Sequence, residues 1–242
     1  MLFRSYIDDL NAFDYPVDIL INYSIYAEDF DYPQNKEYLL GIQYAPLRKQ
    51  FDISEEKLDR AITERSQNKQ IFLTTGAADP YNAAGSIIDA ILNEPKLNEY
   101  RITVVKGRFW DDHNISKYIS EHQNRIRIYE NVENMADLML QSTMAVSAGG
   151  STLYELCACC VPTVTLSYAD NQHGNVKGFD SRGLMDYAGD VRNTDEIGAE
   201  VAKRLLTYHD NNDIIQDKVC RMRSTNCRGG AKRLAESLSS II

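Results

Sequence analysis

The sequence predicts an α/β protein built on a doubly wound parallel sheet, and three observations carry that prediction. From residue 53 onward, short apolar runs alternate with amphipathic stretches of about ten residues, the pattern of βαβ units with right-handed crossovers and helices on both faces. Two of the strand-to-helix turns consist of glycine and other small residues. The composition, 43% hydrophobic and 25% charged with 13 Gly and 6 Pro in 242 residues, suits a chain that buries a core and excludes a disordered or fibrous one.

Taken in order, residues 1–52 read as a remnant of a first domain. Residues 17–22 (Val-Asp-Ile-Leu-Ile-Asn) read as one strand and residues 1–7 as a second. Seven of the 15 tyrosines (Tyr6, Tyr15, Tyr23, Tyr26, Tyr32, Tyr38, Tyr44) fall within residues 1–50, where acids outnumber bases eight to four. Tyrosine rings carry large apolar area. A segment this rich in them and this poor in complete elements is expected to need another surface, a second copy or a partner chain, to cover it.

Residues 53–227 read as one complete domain. Ser54 suits the N-cap of a helix running to about residue 65. Residues 70–74 form a strand that ends in Thr75-Gly76-Ala77-Ala78-Asp79-Pro80, and a helix over 81–92 follows, with Asp79 suited to its N-cap and Pro80 to its first position. Strand 101–105, helix 112–121, strand 126–129, helix 134–141, strand 144–147, the Gly149-Gly150 turn, helix 151–160 and strand 163–167 complete five β-α repeats. From Asn171 the chain reads as largely helical, with helices over 195–208, 213–222 and 230–238. Residues 228–242 are expected to pack back toward the first part.

Charge and cysteine usage narrow the function. The net charge, 26 − 35 = −9, argues against broad contact with nucleic acid or an anionic membrane, while leaving room for a small phosphate held by backbone N–H groups. Acids at Asp8 and Asp9 interrupt the apolar start too early for a secretory leader. The longest uncharged stretch, 138–154, contains Gln141, three serines and two glycines, so no membrane span is expected. Five cysteines, an odd number, fit a reducing compartment, and a cytoplasmic protein is expected. Cys157 and Cys160 make a C-x-x-C that could serve redox or zinc chemistry, but their helix is expected to be buried, so they read as core and no metal is expected. Residues 218–233 hold six bases and no acid, which reads as a solvated face able to lie against the acidic start.

Open parallel sheets bind ligands beyond the carboxyl ends of their strands, which directs attention to three loops. Gly149-Gly150 lets backbone approach a ligand, Ser151 and Thr152 add hydroxyls, and Glu155 lies one turn further in, where it can accept from a ribose diol. The same pattern also fits an ordinary tight turn with a capped helix and a surface glutamate. Thr75, Gly76 and Ala77 are expected to line a crevice facing that loop, although capping alone explains Asp79. Asp170, Asn171, Gln172, His173 and Asn175 gather groups able to hydrogen-bond several sugar hydroxyls, or simply form a polar loop.

These residues resemble a family. Gly149-Gly150-Ser151-Thr152-x-x-Glu155, then Val161-Pro162 and Ala169-Asp170-Asn171-Gln172, is similar to the nucleotide-sugar half of the UDP-sugar hydrolases of pseudaminic acid biosynthesis. Those enzymes are relatives of the glycosyltransferase that adds N-acetylglucosamine to the lipid-linked peptidoglycan precursor. Ile7-Asp8-Asp9-Leu10, Asp18-Ile19-Leu20-Ile21-Asn22, Leu39-Leu40-Gly41-x-x-Tyr44-Ala45-x-Leu47-Arg48-x-x-Phe51 and Thr74-Thr75-Gly76-x-x-Asp79-Pro80 match in the same order. The resemblance implies a glycosyltransferase-B architecture with UDP-sugar between two domains and water displacing UDP without a metal or other cofactor. It implies that the backbone near Val132 reads uracil, that Gly150, Ser151 and Thr152 hold the diphosphate, that Glu155 binds ribose, and that Asn171 and Gln172 hold the sugar. The family's Gly-x-Gly-His-x-x-Arg turn, with its water-activating histidine, has no counterpart in the sequence. The four histidines (His113, His122, His173, His209) lie elsewhere, and His173 alone is near a proposed sugar loop. UDP binding without turnover by this chain alone is therefore the expectation, with a glycosyltransferase or a non-catalytic binding subunit as alternatives.

Overall fold

The computed structural model describes residues 3–33, 35–111 and 113–241, without the side chains of residues 113, 114, 117, 119 and 241. The start of the expected strand over 1–7, residue 112 of an expected helix and the His113 side chain lie outside the described residues. Two parallel sheets organise the chain.

The first sheet holds β1 (Ser5–Ile7), β2 (Ile19–Asn22) and β3 (Glu37–Leu40) in that order, all parallel. The sequence reading missed β3. Its apolar run, Tyr38-Leu39-Leu40, is only three residues long, and only Leu39 of the four strand residues is buried. Tyr15 and Tyr32 are buried beside Leu20, Tyr23 and Tyr26 are packed against the core of the larger sheet, and Tyr44 against the cluster of Ile19, Ile21, Leu39 and Leu234. Much of the tyrosine surface is thus covered from within, while Tyr6, Ile7, Leu10 and Phe13 stay exposed.

The second sheet runs β6-β5-β4-β7-β8-β9, with β4 (Gln70–Thr74), β5 (Arg101–Val105), β6 (Ile126–Tyr129), β7 (Met144–Ala148), β8 (Thr163–Ser167) and β9 (Asp186–Asp190) all parallel. Numbered within the sheet this is 3-2-1-4-5-6, the doubly wound order whose direction reverses between β4 and β7. Helices α1 (Glu55–Asn68), α4 (Met135–Leu140), α5 (Thr152–Ala158), α6 (His173–Ser181) and α8 (Asn212–Ser224) contribute to the core on one face. Helices α2 (Ala83–Leu92), α3 (His113–Glu121) and α7 (Ile197–Asp210) contribute to the core on the other.

Helix α6 fits the reading of the chain after Asn171 as largely helical, and strand β9 corrects it. Asp-Tyr-Ala-Gly-Asp carries two acids and a glycine, a composition depleted in strands, and its pairing with β8 is irregular, Thr165 opposing Tyr187 and Leu166 opposing Gly189. An edge position tolerates both. Helix α2 starts at Ala83 rather than Tyr81, because Asn82 adopts a left-handed conformation (φ 53°) and Asp79 caps from outside, accepting from Ala83 N at 2.9 Å and Ala84 N at 3.0 Å. Pro80 stays in the preceding loop.

The segment between the sheets joins the larger core. Ile25, Ile42, Ala45, Phe51 and Ile53 are buried in the same cluster as α5, α6 and α8, and α9 (Gly230–Ile241) returns to the first sheet, where Leu234 meets Ile19, Ile21 and Leu39. The basic stretch is not one solvated face: Arg221 and Lys232 are exposed and Arg233 donates to the Gln43 carbonyl at 3.0 Å, but the other bases turn to acids outside the acidic start. Arg223 and Arg228 pair with Glu55 and Asp59 on α1, and the buried Lys218 reaches Asp186 at 2.8 Å. Cys157, Cys159 and Cys160 are buried free thiols, and burial pushes Cys160 up to about 11. The buried Arg65 donates to the Cys159 and Cys160 carbonyls at the end of α5, where the helix leaves carbonyls unsatisfied. Among the described residues no helix is long and apolar enough to cross a membrane.

Candidate functional site

The switch point between β4 and β7 places two of the sequence-predicted loops side by side. In the β7 turn, Gly149 and Gly150 have different reasons to be glycine. A Cβ on Gly149 would lie 2.6 Å from Val176 Cγ1 and 3.0 Å from the Gln172 carbonyl oxygen, so Gly149 lets the start of α6 pack onto the turn. A Cβ on Gly150 would meet nothing within 4 Å, and the residue is not among the glycines with positive φ. Nothing in the chain itself requires glycine there.

Gly150 opens on a cleft of ≈ 470 Å³ between the two sheets, within the size range of small-molecule sites. Gly149, Gly150, Ser151, Asp170, Asn171 and Gln172 line one wall. Asp9, Tyr23, Ser24, Tyr26 and Phe30 line the other. Amides, hydroxyls, carboxylates and aromatic faces can bind a polyhydroxylated ligand by hydrogen bonds and ring contact. Among the described residues no lysine or arginine lines the cleft, so an anionic group bound there would rely on backbone N–H groups and hydroxyls. Ser151 makes no side-chain capping bond to α5, which leaves its hydroxyl uncommitted to the helix.

Tyr154 and Asn175 brace the two walls. Tyr154 OH donates to Asn175 Oδ1 at 2.7 Å and accepts from Ile25 N at 3.0 Å, while Asn175 Nδ2 donates to the Gly149 carbonyl at 3.2 Å. Burial raises the Tyr154 phenol well above its ordinary range, which keeps it a donor. Ile25 and Tyr26 sit against Gly178 and Gly174 of α6, where any larger residue would clash.

The other predicted residues lie outside this cleft. Thr75 is buried, and its hydroxyl donates to the Ala78 carbonyl at 3.2 Å. The Gly76 and Ala77 carbonyls accept from Trp110 Nε1 and Phe109 N, each at 2.9 Å, which fastens the β4 loop to the β5 loop. Val132 follows β6 and packs against the core. Thr152 begins α5, and Glu155, on the same helix, pairs with Arg48 at 2.9 Å. Burial pushes the Glu155 carboxyl up, and Arg48 opposes that shift.

The third loop is a 3-10 turn (Asp170–Gln172) leading into α6, and its side chains divide by direction. Gln172 Oε1 accepts from Tyr168 N at 2.9 Å. Asp170 pairs with Arg192 at 2.6 Å, Arg192 pairs with Asp190 at 2.7 Å, and Asp190 Oδ2 lies 2.8 Å from His173 Nε2. The Arg192 guanidinium holds the Asp190 carboxyl well below the usual carboxylate range, against the effect of burial. His173 is therefore hydrogen-bonded to Asp190 rather than held in a solvated loop, and it does not line the cleft.

Sequence reasoning missed Asp9, Tyr23, Ser24, Tyr26 and Phe30, while Asn175, read as part of the polar loop, does line the cleft. Asp9 and Tyr23 follow the carboxyl ends of β1 and β2, so the strand-end rule applied to the first sheet would have found them.

No family model matches the chain. Three curated proteins are distant relatives. An uncharacterised protein of Methanocaldococcus jannaschii, MJ1062, is 27% identical over 158 residues, 62% of this chain and 32% of its own length. The spore coat polysaccharide biosynthesis protein SpsG of Bacillus subtilis is 25% identical over 59% of this chain and 41% of its own. The pseudaminic acid cytidylyltransferase and UDP-2,4-diacetamido-2,4,6-trideoxy-beta-L-altropyranose hydrolase of Helicobacter pylori is 26% identical over 62% and 25%. The chain thus matches a quarter to two-fifths of the length of these relatives. Among solved structures, MurG of Acinetobacter baumannii superposes with a TM-score of 0.64 at 14% identity, over 93% of this chain and 60% of that one. A UDP-glucosyltransferase from Polygonum tinctorium gives 0.63 at 12% identity, over 93% and 54%. The chain has the Rossmann-like α/β fold of the glycosyltransferase-B enzymes and is a distant relative of sugar-biosynthesis proteins.

Proposed function

We propose that the chain binds a UDP-sugar in the cleft between its two sheets. Within the cleft Gly150 and Ser151 take the diphosphate, with Thr152 next along α5, and Asn171 and Gln172 take the sugar; beyond its lining Glu155 and the backbone near Val132 take the uridine, with Thr75, Gly76 and Ala77 on the neighbouring β4 loop. The observation that carries this reading is Gly150, a glycine facing open space at the switch point of a doubly wound sheet, where ligands of this fold class bind. The relationship to sugar-biosynthesis proteins supports a nucleotide-sugar rather than another phosphate compound.

The reaction proposed for the bound UDP-sugar is hydrolysis. Water attacks the anomeric carbon, the bond to the β-phosphate oxygen breaks, UDP leaves with the electron pair, and a base takes the proton of the water. Donors aimed at the departing diphosphate stabilise the charge it gains. His173 is turned toward Asp190 and is not placed to serve as that base. We propose that this chain holds substrate without turning it over, although the Asp9 and Asp170 carboxylates also line the cleft.

Incubation with UDP-2,4-diacetamido-2,4,6-trideoxy-β-L-altropyranose, followed by separation of protein from free ligand, tests this. Intact UDP-sugar retained on the protein is expected. Release of UDP and free sugar would show that the chain carries its own base, and no retention would remove the binding proposal.

A further inference from the structure

The segment joining the two sheets reaches the predicted nucleotide residues through one turn. Phe51, the last residue of the 3-10 turn Lys49–Phe51, is fully buried in the core that also contains α5. From this anchor Gln50 donates to the Glu133 carbonyl at 3.2 Å and accepts from Ala136 N at 3.0 Å, bracing the loop that carries Val132. Arg48 reaches the other way, placing Nη2 2.9 Å from Glu155 Oε1, with its guanidinium 5.5 Å from the centre of the Phe51 ring. The Glu155 side chain is 15% exposed and that of Arg48 52%.

An ion pair this close to water adds little to stability, and a long side chain loses rotamer freedom by being held. The contact makes more sense as a constraint on Glu155 than as a fold brace. We propose that Arg48 is a positioning residue, holding the Glu155 carboxylate where it accepts hydrogen bonds from a vicinal diol, the 2′ and 3′ hydroxyls of a ribose. The inference rests on the nucleotide reading above. It assigns a role to the Leu47-Arg48-x-x-Phe51 motif, which that reading leaves unused. Burial of Glu155 pushes its carboxyl up, and the neighbouring guanidinium acts in the opposite direction.

The test is calorimetric titration of UDP and of 2′,3′-dideoxy-UDP into the wild-type chain, Arg48→Met and Arg48→Lys. Methionine keeps an apolar stem over Phe51 without the guanidinium, and lysine restores the charge without the planar fork. The expected result is wild-type preference for UDP over the dideoxy ligand, with UDP binding about tenfold weaker in Arg48→Met, the scale of a charge-assisted hydrogen bond. Arg48→Lys should recover part of that loss, and all three proteins should bind 2′,3′-dideoxy-UDP within about twofold of one another, since the diol term then vanishes from the cycle. A loss of equal size with both ligands would overturn the proposal, because Arg48 would be acting on another part of the ligand or through the fold. Unchanged or tighter UDP binding in Arg48→Met would overturn it too, as would a wild type that binds both ligands equally. If the wild type binds neither ligand, the nucleotide reading fails and takes this inference with it; if it binds UDP and only the variant result is negative, this inference alone fails.

Discussion

Tyr154 and Asn175 stand 2.7 Å apart, hydroxyl to amide oxygen, and the same hydroxyl receives the Ile25 backbone N–H at 3.0 Å. One phenol on α5 thereby joins α6 to the segment that follows β2, across the base of the cleft. Tyr154→Phe keeps the ring contacts with Tyr23 and Phe179 but leaves the buried Ile25 N–H without its acceptor. The expected cost is about 1–3 kcal/mol, and thermal unfolding should show it as a midpoint lower by about 2–4 °C for each kcal/mol.

Gly149 and Gly150 should separate fold from binding. Alanine at 149 meets Val176 at 2.6 Å and should destabilise by about 1–3 kcal/mol, the range for overpacked positions. Alanine at 150 meets no atom within 4 Å and should leave stability within about 0.5 kcal/mol. UDP affinity should nevertheless fall in Gly150→Ala, because the new methyl stands where the ligand approaches. Chemical denaturation and ligand titration of the two variants check both halves.

Asp190 should set part of the acid sensitivity. Its carboxyl is held below the ordinary range by Arg192, with His173 and the Arg192 backbone N–H adding to the effect. A depressed folded-state value contributes stability that is present above the unfolded value, about 4, and is lost as pH falls toward the folded one. Asp190→Asn should therefore flatten the decline of stability below about pH 4. An unchanged slope in urea melts at several acidic pH values would show that the network is not coupled to folding.

Cys220 is exposed and the other four cysteines are buried. Burial raises the Cys159 and Cys160 thiols, and Cys157 is raised mainly by its Cys227 neighbour, which suppresses the reactive thiolate. Titration with a chromogenic disulfide reagent should label one thiol rapidly in the native protein and the remaining four only after denaturant is added.

Most of the larger sheet was legible in the sequence because β4, β5, β7 and β8 are almost wholly buried and so read as continuous apolar runs. Strand β9 was not, because an edge strand with two acids and Gly189 carries no such run. The β7 turn could be found from its glycines and hydroxyls, and Gln172 and Asn171 from their amides. What could not be found were pairings across long separations. Arg48 meets Glu155 across 107 residues, and His173 meets an acid on a strand that composition hides. Asp79 was recognised as a cap, but its reach past Asn82 depends on a left-handed conformation that asparagine favours without requiring.

Titration of UDP into the intact chain, followed by calorimetry, tests nucleotide binding most directly. Saturable binding of one UDP per chain is predicted, with Kd below about 1 mM and weaker binding by Gly150→Ala at unchanged stability. Heats no different from dilution at millimolar UDP, or equal affinity in the Gly150→Ala variant, would contradict the placement of the diphosphate at the β7 turn.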